Sequence, residues 1–117
     1  MPMEFDSNKP IYLQIGDSVC NKILRRELLP EDRILSVREM GAQIGVNPNT
    51  VARSYEKLME AGIIYNKRGM GFYVAPDARE IVLARERKSF LETELPAFLK
   101  RMELLGLDAG ELLKEGK

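Results

Sequence analysis

The polar side chains that follow Pro48 are of the types that hydrogen-bond to the edges of nucleic-acid bases. Asn49, Thr50 and Arg53 lie close together in the sequence. An arginine can donate two hydrogen bonds to O6 and N7 of guanine, and an asparagine can bond to N6 and N7 of adenine in the same way. This chemistry requires a rigid element that carries the side chains on one exposed face.

A helix that begins at Asn47 would meet this requirement. Asparagine is a favoured N-cap residue, Pro48 falls at the first helical position, where its missing N–H is tolerated, and Gly62 suits the position just after the helix. With about 100° between successive residues, the apolar side consists of Val51, Tyr55, Leu58 and Gly62. The opposite side consists of Asn49, Arg53, Lys57, Glu56 and Glu60. The carboxylates leave a second interpretation open, in which this side is a solvated face with opposite charges paired at i,i+3.

The segment before this helix predicts a partner helix. Ser36 and Glu39 form an S-x-x-E pattern typical of a capping box, and the helix that Ser36 begins is expected to end near Gly45. The connection 45–47 then joins two helices as in a helix-turn-helix, in which the second helix enters the major groove with its N-terminal turns against the bases. The free N–H groups at that helix end are expected to attract a phosphate.

Two more elements fit this plan. Apolar residues at spacings of three and four predict an amphipathic helix over residues 11–28. Two β-branched and aromatic runs predict a hairpin with strands at 63–65 and 71–74. Lys67 and Arg68 in the hairpin turn would reach a flanking phosphate or minor groove, although basic residues in a turn are also ordinary surface decoration.

The residues after the hairpin predict a helical tail. The helical pattern extends from Asp77 to about Met102, but Pro96 lies inside it, so the helix either kinks there or breaks near Glu94 and restarts. Asp108 is expected to cap a last short helix. The apolar side chains of the tail are too many for an isolated helix to leave in water, so we expect a second copy of the chain to bury them. The alternative is that the tail folds back on its own chain. The candidate dimerisation residues are Phe90, Leu91, Leu95, Phe98, Leu99, Met102 and Leu105.

The composition limits the possible functions. The 18 basic and 18 acidic residues give no net charge, which by itself argues mildly against nucleic acid, but residues 33–76 carry six basic and three acidic residues and therefore +3. The chain has no histidine and one cysteine, Cys20, which we expect to be a buried thiol. Histidine-based metal sites, Ser–His and Cys–His nucleophile pairs and an internal disulfide are thereby excluded. We expect neither an enzyme nor a cofactor or metal.

The N-terminal segment is polar and acidic, unlike a secretory signal, and no apolar run approaches the roughly 20 residues that span a bilayer. We therefore expect a cytoplasmic protein. The order of elements predicts a mainly α fold with a small β-hairpin, in which a winged helix-turn-helix over residues 1–76 is followed by a C-terminal helical dimerisation region over residues 77–117.

Four stretches of the sequence resemble the GntR family of bacterial regulators, and within it the short YtrA-type subfamily. They are KPIYLQI at 9–15, LxPxDRIxSVRE at 28–39, GVNPNTVARSY at 45–55 and GxGxYV at 69–74. The resemblance implies operator binding as a dimer, usually with repression. It also implies that Arg38 contacts a phosphate or base from the second helix, and that Gly69 and Gly71 shape the wing. The candidate DNA-binding residues are thus Ser36, Arg38, Asn47, Pro48, Asn49, Thr50, Arg53, Lys57, Lys67, Arg68, Gly69 and Gly71.

The chain departs from the family pattern in two loops. Family members usually carry glycine where Arg26 and Glu31 stand and proline where Leu35 stands. These differences alter the loop before the second helix and leave the base-reading face unchanged. The wing usually has a basic residue at the position of Met70 and a threonine at that of Phe72, so the basic residues of the turn would have to supply its phosphate contact.

Most members of the family carry a ligand-binding or aminotransferase-like domain after the wing, and the tail here is too short for either. In the YtrA-type subfamily such a tail mediates dimerisation. The leading hypothesis is therefore a dimeric DNA-binding regulator, a repressor, that acts on an inverted repeat. The alternative is a winged-helix protein-interaction module without specific DNA binding, which the absence of net charge and the acidic residues of the third helix favour. The sequence identifies no small-molecule effector.

Overall fold

The computed structural model describes Phe5 and residues 8–115. In this part of the chain the elements follow the predicted order, which confirms the mainly α class with one β-hairpin. The elements are α1 (Ile11–Leu24), α2 (Val37–Ile44), α3 (Pro48–Glu60), β1 (Ile64–Lys67), β2 (Gly71–Val74), α4 (Ala78–Ser89), α5 (Leu95–Leu104) and α6 (Ala109–Glu115). Within the described residues, none of the helices combines the length and the apolar composition that a membrane-spanning segment needs.

The chain divides into two compact units, the first ending at Leu83 and the second beginning at Ala84. This division differs from the predicted boundary after residue 76. Ala78 and Val82, in the first turns of α4, belong to the same hydrophobic cluster as α1, α3 and the hairpin. The sequence shows where the hairpin ends, but the packing of α4 against the preceding elements depends on tertiary contacts.

Helix α1 ends at Leu24, so the predicted end at Leu28 is wrong. Arg26 has a left-handed backbone conformation, with φ 65°. The backbone N–H groups of Glu27 and Leu28 both donate to the carbonyl of Lys22, at 2.8 and 3.2 Å, as expected where a left-handed residue closes a helix. The Leu28 side chain still packs against the core, which explains why the apolar pattern continues beyond the helix.

Helix α2 has the predicted ends. The Ser36 hydroxyl oxygen accepts a hydrogen bond from the Glu39 N–H at 3.1 Å, and Glu39 Oε1 accepts one from the Ser36 N–H at 2.8 Å. Gly45 follows the helix with φ 74°. The capping box and the glycine stop are therefore confirmed, and a short turn leads from α2 to α3.

The two strands of the hairpin pair antiparallel, with Ile64 opposite Val74. An extended segment on the other side of β2 was not predicted. Arg33 forms an isolated bridge with Tyr73, so residues 32–34 run alongside β2 as β1 does on its opposite edge. This segment lacks the alternating pattern that identifies a strand, because a single bridge imposes no repeated inside–outside alternation.

Tyr55 lies at the centre of the first unit and is 0 % exposed. Its hydroxyl donates to the Leu35 carbonyl at 2.6 Å, and its ring meets that of Phe72 edge to face with centroids 5.0 Å apart. Cys20 is a buried thiol outside any disulfide, as predicted. The other large apolar residues that are fully buried in the core are Ile15, Ile23, Ile63, Ile64, Val51, Val74 and Val82.

In the second unit the chain remains helical around Pro96. A π-helical turn, Phe90–Glu94, connects α4 to α5, and Pro96 lies in the first turn of α5. The Leu95 N–H donates to the Phe90 carbonyl, five residues earlier. Proline has no N–H and crowds the carbonyl four residues before it, so a wider turn ahead of Pro96 lets the helix continue. Asp108 Oδ1 accepts from the Glu111 N–H at 3.0 Å, which confirms the predicted cap of α6.

Candidate nucleic-acid interface

Helix α3 has one buried and one exposed side, as its sequence predicts. Asn49, Arg53 and Lys57 are exposed and Thr50 is half-buried. The side that faces the core carries the buried residues Val51, Ser54, Tyr55 and Leu58. Because these residues are packed, the helix is held rigidly while its polar side chains project into solvent, which is the arrangement that base recognition requires.

The start of α3 is closed by its own cap. Asn47 Oδ1 accepts from the Asn49 N–H at 2.8 Å, and the Asn47 carbonyl accepts from Thr50 and Val51 at 2.9 and 3.3 Å. Pro48 has no N–H. The N–H groups of this first turn are therefore engaged, and the predicted attraction of a phosphate to free N–H groups is not supported. Contacts to DNA from this end of α3 have to come from side chains.

The charged residues of α3 have different partners. Lys57 Nζ lies 3.6 Å from Glu60 Oε2, so the interpretation of a solvated face with paired charges holds for Lys57. Exposed pairs of this kind contribute little to stability and can exchange partners readily. Arg53 makes no ion pair within the described residues. Its guanidinium carbon lies instead over the ring of Tyr12, 4.0 Å from the ring centroid.

Tyr12 was not recognised as a site residue in the sequence. It occupies an apolar position in the pattern of α1, where tyrosine is an ordinary core residue. In the structure it is only half-buried and lies outside the hydrophobic cluster. A signal was available in an aromatic residue and an arginine on two predicted amphipathic helices, but the alignment of the two helices depends on the tertiary structure.

The residues at the start of α2 have separate roles. The oxygen of Ser36 is occupied by the capping box, so its first function is structural. Arg38 is exposed on the first turn of α2. Nearby, the hydrogen bonds from the Ser36 N–H and hydroxyl, together with the positive charge of Arg33, hold the pKa of Glu39 below its ordinary value. The carboxylate is thereby kept ionised beside the site.

The hairpin turn carries the predicted basic residues. Gly69 has φ 75°, which lets the Met70 N–H donate to the Lys67 carbonyl at 2.8 Å. Lys67 Nζ lies 4.8 Å from the centroid of the Tyr73 ring, and Arg68 is exposed. The ring under Lys67 restricts the movement of its ammonium group but leaves its charge available to a phosphate.

Arg33 links the wing to α2 and was not identified from the sequence. Its Nε donates to the Met70 carbonyl at 3.4 Å, and its terminal nitrogen lies 3.8 Å from Glu39 Oε1. Gly71 passes directly beside this guanidinium. The sequence contains no local signal for this connection, because Arg33 and the hairpin turn are far apart in the chain.

A second link joins the wing to the loop before α2. The Tyr65 hydroxyl donates to Glu31 Oε2 at 2.5 Å, and this hydrogen bond raises the pKa of Tyr65. Tyr65 also stacks on Tyr73, with ring centroids 6.0 Å apart. The position of the wing is thus set by side chains from both of its strands.

The candidate dimerisation residues are mostly on the surface. Five of the seven are exposed, namely Phe90, Leu91, Phe98, Leu99 and Leu105. Leu95 is half-buried, and Met102 is 7 % exposed and so offers little area to a partner. Further exposed leucines in the same unit are Leu104, Leu107, Leu112 and Leu113.

Comparison with known families gives a match over most of the first unit. The model of the family described as bacterial regulatory proteins, gntR family, matches residues 11–74. The chain is 46% identical over 115 residues to YhcF of Bacillus subtilis, an HTH-type transcriptional regulator, covering 97% of this chain and 93% of that protein. It is 31% identical to the HTH-type transcriptional repressor YtrA of Bacillus subtilis, covering 91% of this chain and 81% of YtrA.

Solved structures show the same fold. A GntR family transcriptional regulator from Listeria monocytogenes superimposes with a TM-score of 0.78 at 34% identity, covering 94% of this chain and 95% of that one. The DNA-binding domain of AraR, in complex with operator ORR3, superimposes with a TM-score of 0.56 at 27% identity, covering 64% of this chain and 90% of that one. The similarity therefore extends to a domain that was solved on its operator.

Proposed function

The chain belongs to the gntR family of bacterial regulatory proteins and is a DNA-binding transcriptional regulator; we propose that it acts as a repressor, binding an inverted-repeat operator as a homodimer. The proposal assigns base recognition to the first turns of α3, phosphate contacts to Arg38 and the wing, and dimerisation to the second unit.

The observation that carries the proposal is the exposed polar side of α3. Asn49 and Arg53 project from a helix whose other side is packed against the core, and Arg53 belongs to no ion pair among the described residues. Both side-chain types suit the major groove, where arginine distinguishes guanine and asparagine distinguishes adenine. The similarity to the AraR domain solved with its operator supports this use of the surface.

Repression is supported by similarity to YtrA, which is named a transcriptional repressor and which the chain matches over most of its length. A winged-helix domain of this size that occupies a promoter excludes other proteins from the same DNA, so repression requires no further enzymatic activity. The proposed sign of regulation can be tested with a reporter gene placed behind the operator.

Dimerisation is supported by the exposed apolar residues of the second unit. Phe90, Leu91 and Phe98 expose 47%, 59% and 62% of their surfaces. So many large apolar side chains exposed to water in one short helical segment favour an interaction surface, and a second copy of the chain is the partner that an inverted repeat requires. Two recognition helices would then meet half-sites about 34–36 Å apart.

Selection from a random duplex library tests operator binding. The wild-type protein is expected to enrich an inverted repeat, and Arg53→Ala is expected to weaken binding to the enriched duplex by about 1–3 kcal/mol. Arg25→Ala is the matched control, since Arg25 is an exposed arginine that follows α1. If the selection enriches no inverted repeat, or if Arg53→Ala and Arg25→Ala weaken binding equally, the proposal is contradicted.

Sedimentation equilibrium tests the assembly. The wild-type chain is expected to sediment as a dimer at micromolar concentration, and Phe98→Glu is expected to shift it towards monomer because a carboxylate would be buried at the seam. Leu29→Glu is the control, since Leu29 is 49% exposed but lies in the first unit. A wild-type monomer, or a dimer that resists Phe98→Glu and further charges on this face, would overturn the assignment.

A further inference from the structure

We infer that Tyr12 is a positioning residue for DNA recognition, holding the guanidinium of Arg53 in place before DNA arrives. The inference rests on the proposed function of α3. It assigns to the first turn of α1 a role in specificity through an intramolecular contact, and makes no use of any contact between Tyr12 and DNA.

The two helices approach each other closely at this point. A Cβ on Gly16 of α1 would lie 3.4 Å from Ser54 Oγ of α3. Tyr12 lies four residues before Gly16 and therefore on the same face of α1, while Arg53 is the neighbour of Ser54 in α3. The close approach brings the aromatic ring to the edge of α3 from which Arg53 projects.

The contact leaves the hydrogen-bonding capacity of Arg53 intact. The guanidinium carbon lies 4.0 Å from the ring centroid, which is the distance of a cation over the ring face. All N–H donors of a guanidinium lie in its plane, around its edge. An arginine held by its face can therefore still bond to O6 and N7 of guanine, whereas an arginine held by a carboxylate would have those donors occupied.

Restricting Arg53 in the free protein favours binding. Arginine is a long side chain with many rotamers, and ordering such a side chain at an interface costs affinity. If the ring of Tyr12 orders Arg53 beforehand, this cost is met during folding. The other cation of α3, Lys57, has different surroundings, since it is paired with Glu60.

The identity of residue 12 fits this role better than a role in the core. Tyr12 is half-buried and lies outside the hydrophobic cluster, so leucine would satisfy the apolar pattern of α1 equally well. Only an aromatic ring presents a negative face to a cation. Phenylalanine should therefore replace Tyr12, and leucine should not.

The test is a double-mutant cycle on the duplex that the wild-type protein enriches, measured by fluorescence anisotropy. Tyr12→Leu is expected to weaken binding about three- to tenfold, the range for one side chain left unordered. It should also reduce discrimination at the same base pair that Arg53→Ala affects. Tyr12→Phe should bind as the wild type does, and Tyr12→Leu should have no further effect in the Arg53→Ala background.

Two binding results would overturn the inference. If Tyr12→Leu weakens binding equally with and without Arg53, or if Tyr12→Phe loses as much as Tyr12→Leu, then Tyr12 acts independently of the contact between its ring and Arg53. A measurement without DNA separates this inference from the proposed function. The side-chain NMR resonances of Arg53 in the free protein should shift in Tyr12→Leu because the ring current is lost, and unchanged resonances would refute the contact. Failure of the wild-type protein to enrich any operator would instead refute the proposed function.

Discussion

The guanidinium of Arg33 occupies the space into which a side chain on Gly71 would project. A Cβ at Gly71 would lie 3.2 Å from Arg33 Nε, and Gly71 has φ 103°, a conformation that other residues rarely adopt. Arg33 uses this approach to reach the Met70 carbonyl. Gly71 is thus required both by the backbone conformation of the wing and by the close approach of Arg33 from the loop before α2.

Gly71→Ala is expected to destabilise the protein more than Gly69→Ala does. Both positions have positive φ, but nothing lies within 4 Å of a Cβ at Gly69, so only Gly71→Ala also displaces Arg33. We expect Gly71→Ala to lower the free energy of unfolding by about 1–3 kcal/mol. Gly69→Ala should lower it less, because there only the backbone conformation is strained. Urea unfolding measures both. Equal losses would show that the Arg33 contact adds nothing.

Arg26→Gly is expected to stabilise the protein. Arg26 is exposed and has φ 65°, where glycine avoids the steric cost of a Cβ. Part of this benefit is offset because glycine is more flexible in the unfolded chain. We therefore expect the free energy of unfolding to rise by about 0.5–1 kcal/mol. The measurement is the free energy of unfolding at one protein concentration, because a dimer makes stability concentration-dependent.

Glu31→Gly provides the matched comparison. Glu31 also has positive φ, at 71°, but its carboxylate accepts the hydrogen bond from Tyr65. Glu31→Gly should therefore raise the free energy of unfolding less than Arg26→Gly does. A larger gain at position 31 would mean that the Tyr65 hydrogen bond contributes nothing to stability.

Tyr55→Phe is expected to destabilise the protein by about 1–3 kcal/mol, because the partly buried Leu35 carbonyl loses its donor. The same tyrosine makes stability pH-dependent. Burial, and secondarily the charge of Glu39, raise the pKa of Tyr55 above its ordinary value. As the pH rises, this tyrosine therefore ionises in the unfolded chain before it ionises in the folded protein. The contribution of neutral Tyr55 to the free energy of unfolding is complete below about pH 10. It is lost as the pH rises further, by at most about 1.4 kcal/mol per pH unit.

Unfolding experiments between pH 8 and pH 11, at about one-unit steps, test this dependence. Tyr55→Phe should be less stable than the wild type at neutral pH but should lose less stability on the alkaline side. Tyr65, whose pKa is also raised, remains in both proteins and provides a common background. Parallel alkaline slopes for the two proteins would contradict the role of Tyr55.

Glu39→Gln is expected to retain the helix cap but to avoid the loss of stability at acidic pH that protonation of Glu39 causes. A glutamine can still accept from the Ser36 N–H, but it carries no charge for Arg33. The pKa of Glu39 is lowered, so its contribution to stability is present above the ordinary pKa of a glutamate and is lost as the pH falls through the lowered value. Acid unfolding should therefore be less steep in Glu39→Gln, and identical acid profiles would contradict the lowered pKa of Glu39.

Features that involve neighbouring residues were predictable from the sequence. The caps of α2 and α3 each act within one helical turn, namely the capping box of Ser36 and Glu39 and the N-cap Asn47. The residue types alone therefore identify where these two helices begin. The end of α1 was placed too late because Arg26, an unusual residue for a left-handed position, gives no signal of a helix stop.

Contacts between distant residues required the tertiary structure. The amino-acid sequence was sufficient to predict the order of the elements, the caps of α2 and α3 and the polar side of α3, because these features follow from local conformational preference and the helical repeat. The folded structure was needed to show that Tyr12 lies under Arg53 and that Arg33 reaches the turn of the wing. Such pairs depend on how whole helices and strands pack, and the core that sets this packing contains neither Tyr12 nor Arg33.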